Sequence, residues 1–175
     1  MLTMRILQNP LKASLLMLLF ATAFTTVASA QTKQEKEAAK AAEVQTLVDG
    51  QRYVFIAQTV LPQSGRTRQV TPDFDFTVTK DTITSYLPYF GRAFQATRAT
   101  EGGIKFESKD FEYTKTDGKK GGWDILIKPK DVNDIQSVRL SITESGYAYL
   151  QVQSNNRQPI SYNGYVTEIK TRKKK

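Results

Sequence analysis

Hydrophobic and polar residues alternate along most of the chain after residue 51, which is the pattern of β-strands with one buried face. In the segment 74–79, Phe74, Phe76 and Val78 alternate with polar residues. Similar short segments recur at 82–86, 104–107, 111–113, 123–127, 138–143, 147–153 and 160–169, and the segment 53–58 is apolar on both faces, which predicts a strand buried on both sides. We therefore predict an all-β, mainly antiparallel domain over residues 51–170, as a flattened barrel or curled sheet of about eight strands.

Turn-forming residues separate these segments. The run 117–122 joins two alternating segments and predicts a hairpin with a longer loop. Its glycines, Gly121 and Gly122, suit turns that need a positive φ. Asn163 and Gly164 interrupt the last segment and predict a turn or a bulge there.

Residues 31–50 carry a different pattern, rich in Lys, Glu, Ala and Gln, which favours a helix. Val44, Leu47 and Val48 provide apolar side chains near its end, and Gly50 lies where a C-terminal cap belongs. These residues predict one N-terminal helix that leads into the β domain.

The first 30 residues have the composition of a signal peptide. Arg5 and Lys12 are the charged residues of this segment, 13–27 is almost wholly apolar or small, and Ala28-Ser29-Ala30 offers a cleavage site. The alternative, a transmembrane anchor, needs about 20 apolar residues, and threonines interrupt this run. We expect cleavage after Ala30, no transmembrane span in the mature chain, and a periplasmic or secreted protein. Because the sequence has no Cys, we do not expect a lipoprotein.

The chain contains neither His nor Cys. This excludes Ser–His and Cys–His nucleophile pairs, cysteine redox sites and zinc sites of the usual nitrogen and sulfur type. No glycine-rich phosphate-binding loop lies between a strand and a helix. We predict no cofactor, no metal and no catalytic residue, although carboxylate-pair or lysine chemistry remains open.

Two acidic groups are candidates for such chemistry. Asp73 and Asp75 lie at i and i+2, which would place them on one strand face, as a calcium site or a glycosidase requires. The segment 131–134 resembles the start of a calcium loop but lacks the later Gly and Glu. The simpler interpretations are a solvated strand face and a connecting loop.

The segment 86–94 concentrates aromatic residues around Pro88 and Gly91, which favour a bend. Such a loop can line a concave ligand site, with an arginine that binds an anion or stacks on a ring. The predicted ligand-binding residues are Tyr86, Tyr89, Phe90, Arg92 and Phe94. The alternative is a structural plug whose rings close one end of the barrel. Trp123 has the same ambiguity, as a core residue or as a binding residue.

The formal charge is +8, and cations concentrate in a basic tail at 171–175. Such a run can attract nucleic-acid phosphates or anionic glycans of the envelope. A solvated tail is the simpler interpretation, so we predict no specific nucleic-acid partner.

Several runs together resemble one known family. These are the segment 86–94, Phe106, 111–113, 146–152, and the segments 154–157 and 160–164. They are similar to the domain-of-unknown-function family 4251, exported proteins of gut-type Gram-negative bacteria, over nearly all of residues 35–170. The segments 87–92 and 154–157 are the most specific parts. The resemblance implies export and a β-rich single domain, and it brings no activity, cofactor or catalytic residue.

These observations predict an exported, non-catalytic, β-rich binding module of the cell envelope, whose partner is an unknown ligand or envelope component. One alternative is a carboxylate-dependent hydrolase that acts on glycans. Another is an envelope-associated structural protein held by its basic tail.

Overall fold

The computed structural model describes residues 32–94, 103–118 and 121–169. The chain divides into two compact units, Met1–Ala39 and Lys40–Lys175. In the first unit, the described residues 32–39 are helical, and Lys33 and Glu37 form an i,i+4 ion pair at 4.0 Å. The predicted signal peptide and the predicted basic tail lie outside the described residues. Within those residues, no helix is both long enough and apolar enough to cross a membrane.

Helix α1 comprises residues 32–49, in agreement with the predicted N-terminal helix. In the second unit, its Val44 and Val48 are fully buried and belong to the core of the β domain. Each buried valine contributes about 1.5–3 kcal/mol relative to an exposed one. The last turns of the helix are therefore part of the folded β domain, as their apolar pattern predicts.

The residue with the left-handed capping conformation lies one position beyond the predicted cap, Gly50. The Gly50 N–H donates to the Thr46 carbonyl oxygen at 3.0 Å, so Gly50 still closes a helical turn. The left-handed conformation falls on Gln51, with φ of 48°. This conformation is less favourable for a residue with a Cβ than for glycine. The glycine that predicted the cap, Gly50, therefore stands one position before the residue that adopts the left-handed conformation.

Ten strands follow the helix. They are β1 (Tyr53–Pro62), β2 (Arg68–Gln69), β3 (Asp75–Val78), β4 (Ile83–Pro88), β5 (Gly103–Ser108), β6 (Phe111–Asp117), β7 (Trp123–Pro129), β8 (Ile135–Ile142), β9 (Tyr147–Ser154) and β10 (Ile160–Thr167). Their spatial order is β5-β4-β3-β1-β10-β9-β8-β7-β6, with β2 paired to β1. This mostly antiparallel, nearly closed, barrel-shaped sheet confirms the predicted fold class. The predicted strands lack β2, because two residues carry no periodicity.

Alternation along the strands separates a buried inner face from an exposed outer face. In β8, Val138, Leu140 and Ile142 are buried while Arg139 and Ser141 between them are exposed. The largest fully buried side chains of the described residues include four aromatic rings, those of Tyr53, Phe55, Phe76 and Tyr162. These rings fill the interior, so the barrel is held together by packing.

The buried phenol of Tyr162 has a hydrogen-bond partner. Its hydroxyl donates to the Pro88 carbonyl oxygen at 2.7 Å, where β4 ends. Burial raises the pKa of Tyr162 well above its ordinary value. The hydrogen bond matters because an unpartnered hydroxyl in this interior would cost about 1–3 kcal/mol.

Strand β10 runs without interruption through Asn163 and Gly164, so the bulge predicted there lies on its partner strand. Ala57 of β1 pairs with Gly164 and Thr59 pairs with Asn163, which leaves Gln58 as the extra residue. A Cβ on Gly164 would collide with the carbonyl oxygen of Ile56. The glycine therefore permits a close approach of the two strands and does not form a turn.

The predicted β6–β7 hairpin is present, with paired residues from Phe111 and Pro129 to Asp117 and Trp123. Gly121 and Gly122 have φ of 82° and 78°, as their turn positions predict.

The two edges of the sheet, β5 and β6, follow each other in the chain and meet at a corner. Asp131 stabilises this corner through three hydrogen bonds. Its carboxylate accepts one from the Ser108 hydroxyl, one from the Lys109 N–H at 2.9 Å and one from the Asp110 N–H at 3.3 Å. The Ser108 and Lys109 hydrogen bonds hold the pKa of Asp131 below its usual value. The corner thus fixes the edge strands relative to the β7–β8 connection.

We expect Asp131→Asn to lower the thermal unfolding midpoint at pH 7, because an amide has one acceptor oxygen where the carboxylate has two. A depressed folded-state pKa gives stability that is present above the unfolded pKa and is lost as pH falls through the folded pKa. The difference from wild type should therefore be widest at neutral pH and should narrow in acid. Asp110→Asn is the matched control. A difference of the same size at every pH would contradict this account.

Candidate functional site

Tyr89, one of the five predicted ligand-binding residues, lies inside a structural cluster. Its hydroxyl lies 2.8 Å from the Arg92 carbonyl oxygen and 3.1 Å from that of Gln158. The guanidinium of Arg157 lies over its ring, 5.4 Å from the centroid. Burial raises the pKa of Tyr89. Both polar and π contacts of this residue are thus made within the protein.

Arg157 is the centre of this cluster and is buried, with 8% of its surface exposed. Its Nη1 donates to the Gly103 carbonyl oxygen at 2.8 Å, and its Nε lies 3.4 Å from Oδ2 of Asp134. The other carboxylate oxygen of Asp134 accepts from Ser154 at 2.9 Å and from Asn156 at 3.0 Å. A buried guanidinium requires such compensation, because desolvation of an unpaired charge is costly.

Backbone hydrogen bonds complete the cluster. The Phe94 N–H donates to the Asn156 carbonyl oxygen at 2.8 Å, and the Gln158 N–H donates to that of Arg92 at 3.0 Å. The segments 86–94 and 154–157 are therefore in direct contact. These two segments carry the most specific parts of the family resemblance. This geometry favours the plug alternative for Tyr89, and a ligand-binding role for the five residues stays a prediction.

Tyr86 and Phe90 lie apart from this cluster, each against a different cation. Tyr86 stacks on Phe74 with centroids 5.6 Å apart, and the Lys105 ammonium lies 4.9 Å from its centroid. The Arg68 guanidinium lies 4.6 Å from the Phe90 centroid. The side chains of the last two predicted residues are exposed, those of Arg92 and Phe94. The structure therefore divides the predicted set between an internal cluster and exposed positions.

Three of the candidate carboxylates, Asp75, Asp131 and Asp134, accept hydrogen bonds from nearby protein groups. Asp75 begins β3, and its Oδ2 accepts from the Thr77 hydroxyl at 2.9 Å, while Asp73 lies in the preceding turn. The prediction that both lie on one strand face is wrong, because β3 starts after Asp73. In the segment 131–134, both aspartates bind protein donors. Among the described residues, no group of three acidic residues is placed to hold a metal ion.

The outer face of the sheet carries a different feature, a polar row that crosses five neighbouring strands. Direct cross-strand pairing places Asp124 of β7 beside Ser141 of β8, Ser141 beside Tyr149 of β9, Tyr149 beside Asn163 of β10, and Asn163 beside Thr59 of β1. The alternation that buries the neighbouring residues forces these side chains outward. The register therefore assembles polar groups that are distant in sequence.

A groove of about 580 Å³, here called the outer groove, lies along this row. Its lining includes Gln58, Asp124, Ser141, Tyr147, Tyr149 and Asn163. The Tyr147 and Tyr149 side chains are 65% and 41% exposed. None of the five predicted ligand-binding residues lines this groove.

Hydrogen bonds hold three side chains of the outer groove, those of Tyr149, Ser141 and Asp124. The Tyr149 hydroxyl donates to the Ser161 Oγ at 2.6 Å, and the Ser141 hydroxyl donates to Oδ1 of Asp124 at 2.6 Å. Trp123 is half-buried at the start of β7 and lines the groove as well, so it contributes both to packing and to this surface. The groove presents aromatic rings, a carboxylate and neutral polar groups on rigid strands.

Sequence reasoning missed the outer groove, although one signal was present. Tyr147 and Tyr149 occupy the exposed positions of a strand whose buried positions are already filled by Ala148, Leu150 and Val152. The signal is that two large rings stand at strand positions where polar residues are usual.

We expect Arg157→Met to reduce the free energy of unfolding by about 3 kcal/mol, because it removes a buried partner of Asp134 and the donor to Gly103. Arg157→Lys should recover part of this loss, since it keeps the charge but not the fork of donors. Chemical denaturation measures both. The matched control is Arg139→Met on the exposed outer face, and a loss no larger than that of this control would disprove the role of Arg157.

Comparison with known proteins agrees with the fold. The family model described as "Domain of unknown function (DUF4251)" matches residues 35–166. The crystal structure of a DUF4251 family protein from Bacteroides eggerthii DSM 20697 at 1.95 Å resolution is similar, with a TM-score of 0.57 and 17% sequence identity. The similarity covers 77% of this chain and 91% of that chain. At this identity the likeness shows the fold alone. None of the curated proteins matches the chain.

The family match extends over more than half of the sequence and includes both segments that meet at Arg157. The chain therefore belongs to the DUF4251 family.

Proposed function

We propose that this protein is a non-catalytic binding module that holds a saccharide in the outer groove. The observation that carries the proposal is the pair of exposed rings, Tyr147 and Tyr149, in a groove that also presents hydrogen-bonding side chains. A binding site needs a concave surface with apolar contact area and a few placed polar groups, and the groove has both.

The chemistry of a sugar matches this lining. A pyranose ring has a face of C–H groups, and the electron-rich face of a tyrosine ring attracts such groups. Its hydroxyls both donate and accept hydrogen bonds. Asp124 accepts, while Asn163 and Gln58 each provide a donor and an acceptor.

The position of the groove supports the proposal further. The polar row lies on five paired strands, and Ser161 and Asp124 anchor its tyrosine and serine hydroxyls. Side chains that are ordered before binding lose little entropy when a ligand arrives. The hydrolase alternative needs a pair of carboxyl groups, whereas the described lining of the groove supplies one, Asp124.

We also propose that the module is exported to the periplasm or beyond. The leader composition of residues 1–30 supports this, with its cationic start, apolar middle and Ala28-Ser29-Ala30 end.

We expect Tyr147→Ala and Tyr149→Ala each to weaken saccharide binding about tenfold or more, because each removes a central ring of the groove. The purified protein is first applied to an array of neutral mannan, glucan, xylan and galactan oligosaccharides. The best-bound sugar is then measured by titration calorimetry with each variant.

Tyr86→Ala discriminates between the two candidate surfaces, since Tyr86 is 42% exposed and belongs to the segment 86–94 predicted from the sequence, which does not line the outer groove. It should bind as wild type does. Absence of binding to every neutral glycan on the array, or equal losses in all three variants, would refute the proposed function.

A further inference from the structure

A second groove continues the outer face beyond Tyr149. It has a volume of about 330 Å³, and its lining includes Gln63, Tyr149, Gln151 and Ser161. Tyr149 lines both this groove and the outer groove, so the two are neighbours on the same surface. Its lining has no aromatic side chain besides Tyr149 among the described residues, and it combines three polar side chains with three apolar ones, those of Leu61, Pro62 and Pro159.

Strand β9 runs past both grooves. Tyr147, Tyr149 and Gln151 share its outer face, and residues two apart on a strand are about 7 Å apart. The neighbouring strand β10 places Tyr165, Asn163 and Ser161 directly opposite these three residues. Together the two strands form a track of about 14 Å, which is longer than a single sugar ring.

We propose that the two grooves are adjoining subsites for one linear oligosaccharide that runs along β9. This inference rests on the proposed function and specifies its ligand as a chain of sugar units. Tyr149 lies between the subsites, with Tyr147 providing the ring of the first and Gln151 the amide of the second.

The hydrogen bond between Tyr149 and Ser161 supports this arrangement. Ser161 is buried, with 8% of its surface exposed, and it accepts the tyrosine hydroxyl at 2.6 Å. The Tyr149 ring is therefore held between the grooves by a partner in the second groove. An oligosaccharide that bridges the subsites gains from linkage, because its second unit binds at a high effective concentration.

The test uses a length series of the neutral sugar selected on the array, from the monosaccharide to longer linear chains, measured by titration calorimetry. We expect affinity to rise about tenfold or more from the monosaccharide to the chain that fills both subsites. Gln151→Ala should remove about fivefold of this gain for the long chain and leave monosaccharide binding unchanged. Gln153→Ala is the matched control, as Gln153 lies on the same face of β9 outside both grooves.

The outcomes separate this inference from the proposed function. If the monosaccharide and the long chain bind equally, or if Gln151→Ala behaves as Gln153→Ala does, the second subsite is refuted while the outer groove stands. If no sugar of any length binds, the proposed function fails and this inference fails with it. Preferential binding of an acidic polymer over every neutral chain would also overturn it.

Discussion

One end of the barrel, where β4 and β9 finish and β5, β8 and β10 begin, depends on the burial of one cation, Arg157. Its guanidinium contacts Tyr89 after β4, the Gly103 carbonyl at the start of β5, and Asp134 before β8. Only an arginine offers a planar set of donors with a π-stacking face in one side chain. Arg157 therefore contacts residues beside three different strands at this end of the barrel.

Alternation along the strands gives the two faces of the sheet different environments. Inward side chains, led by Tyr53, Phe55, Phe76 and Tyr162, fill the interior. Outward side chains do not fill the interior. The register of β7, β8, β9, β10 and β1 brings one of them from each strand into a single row. The outer groove is therefore a consequence of the same alternation that stabilises the protein. The Arg157 cluster and the Asp131 corner lie at strand ends, away from the cross-strand pairs that form this row.

Period-two alternation was sufficient to predict the fold class, the β6–β7 hairpin and most strands, since each of these is a local property of the sequence. The helix was equally predictable from its composition and from Val44 and Val48. The role of Arg157 was not predictable, because Gly103 lies 54 residues from Arg157 along the chain. The plug alternative for the segment 86–94 anticipated a structural role for Tyr89 but not its partners. The polar row was hidden for the same reason, since it needs the pairing of β1 with β10 and the bulge at Gln58. The density of aromatic residues led to the prediction at 86–94, which stays a prediction, whereas Tyr147 and Tyr149 stand out because they occupy the exposed positions of β9.

Our proposal places ligand binding on the outer face of β9 and β10 and gives the Arg157 cluster a structural role. Backbone amide chemical shifts, followed by NMR during titration with the best-bound oligosaccharide, distinguish these two surfaces. We expect the largest changes within residues 147–151 and 161–163, and we expect residues 89–94 and 154–158 to change little. The largest changes at Tyr89, Arg92 and Arg157 would contradict it.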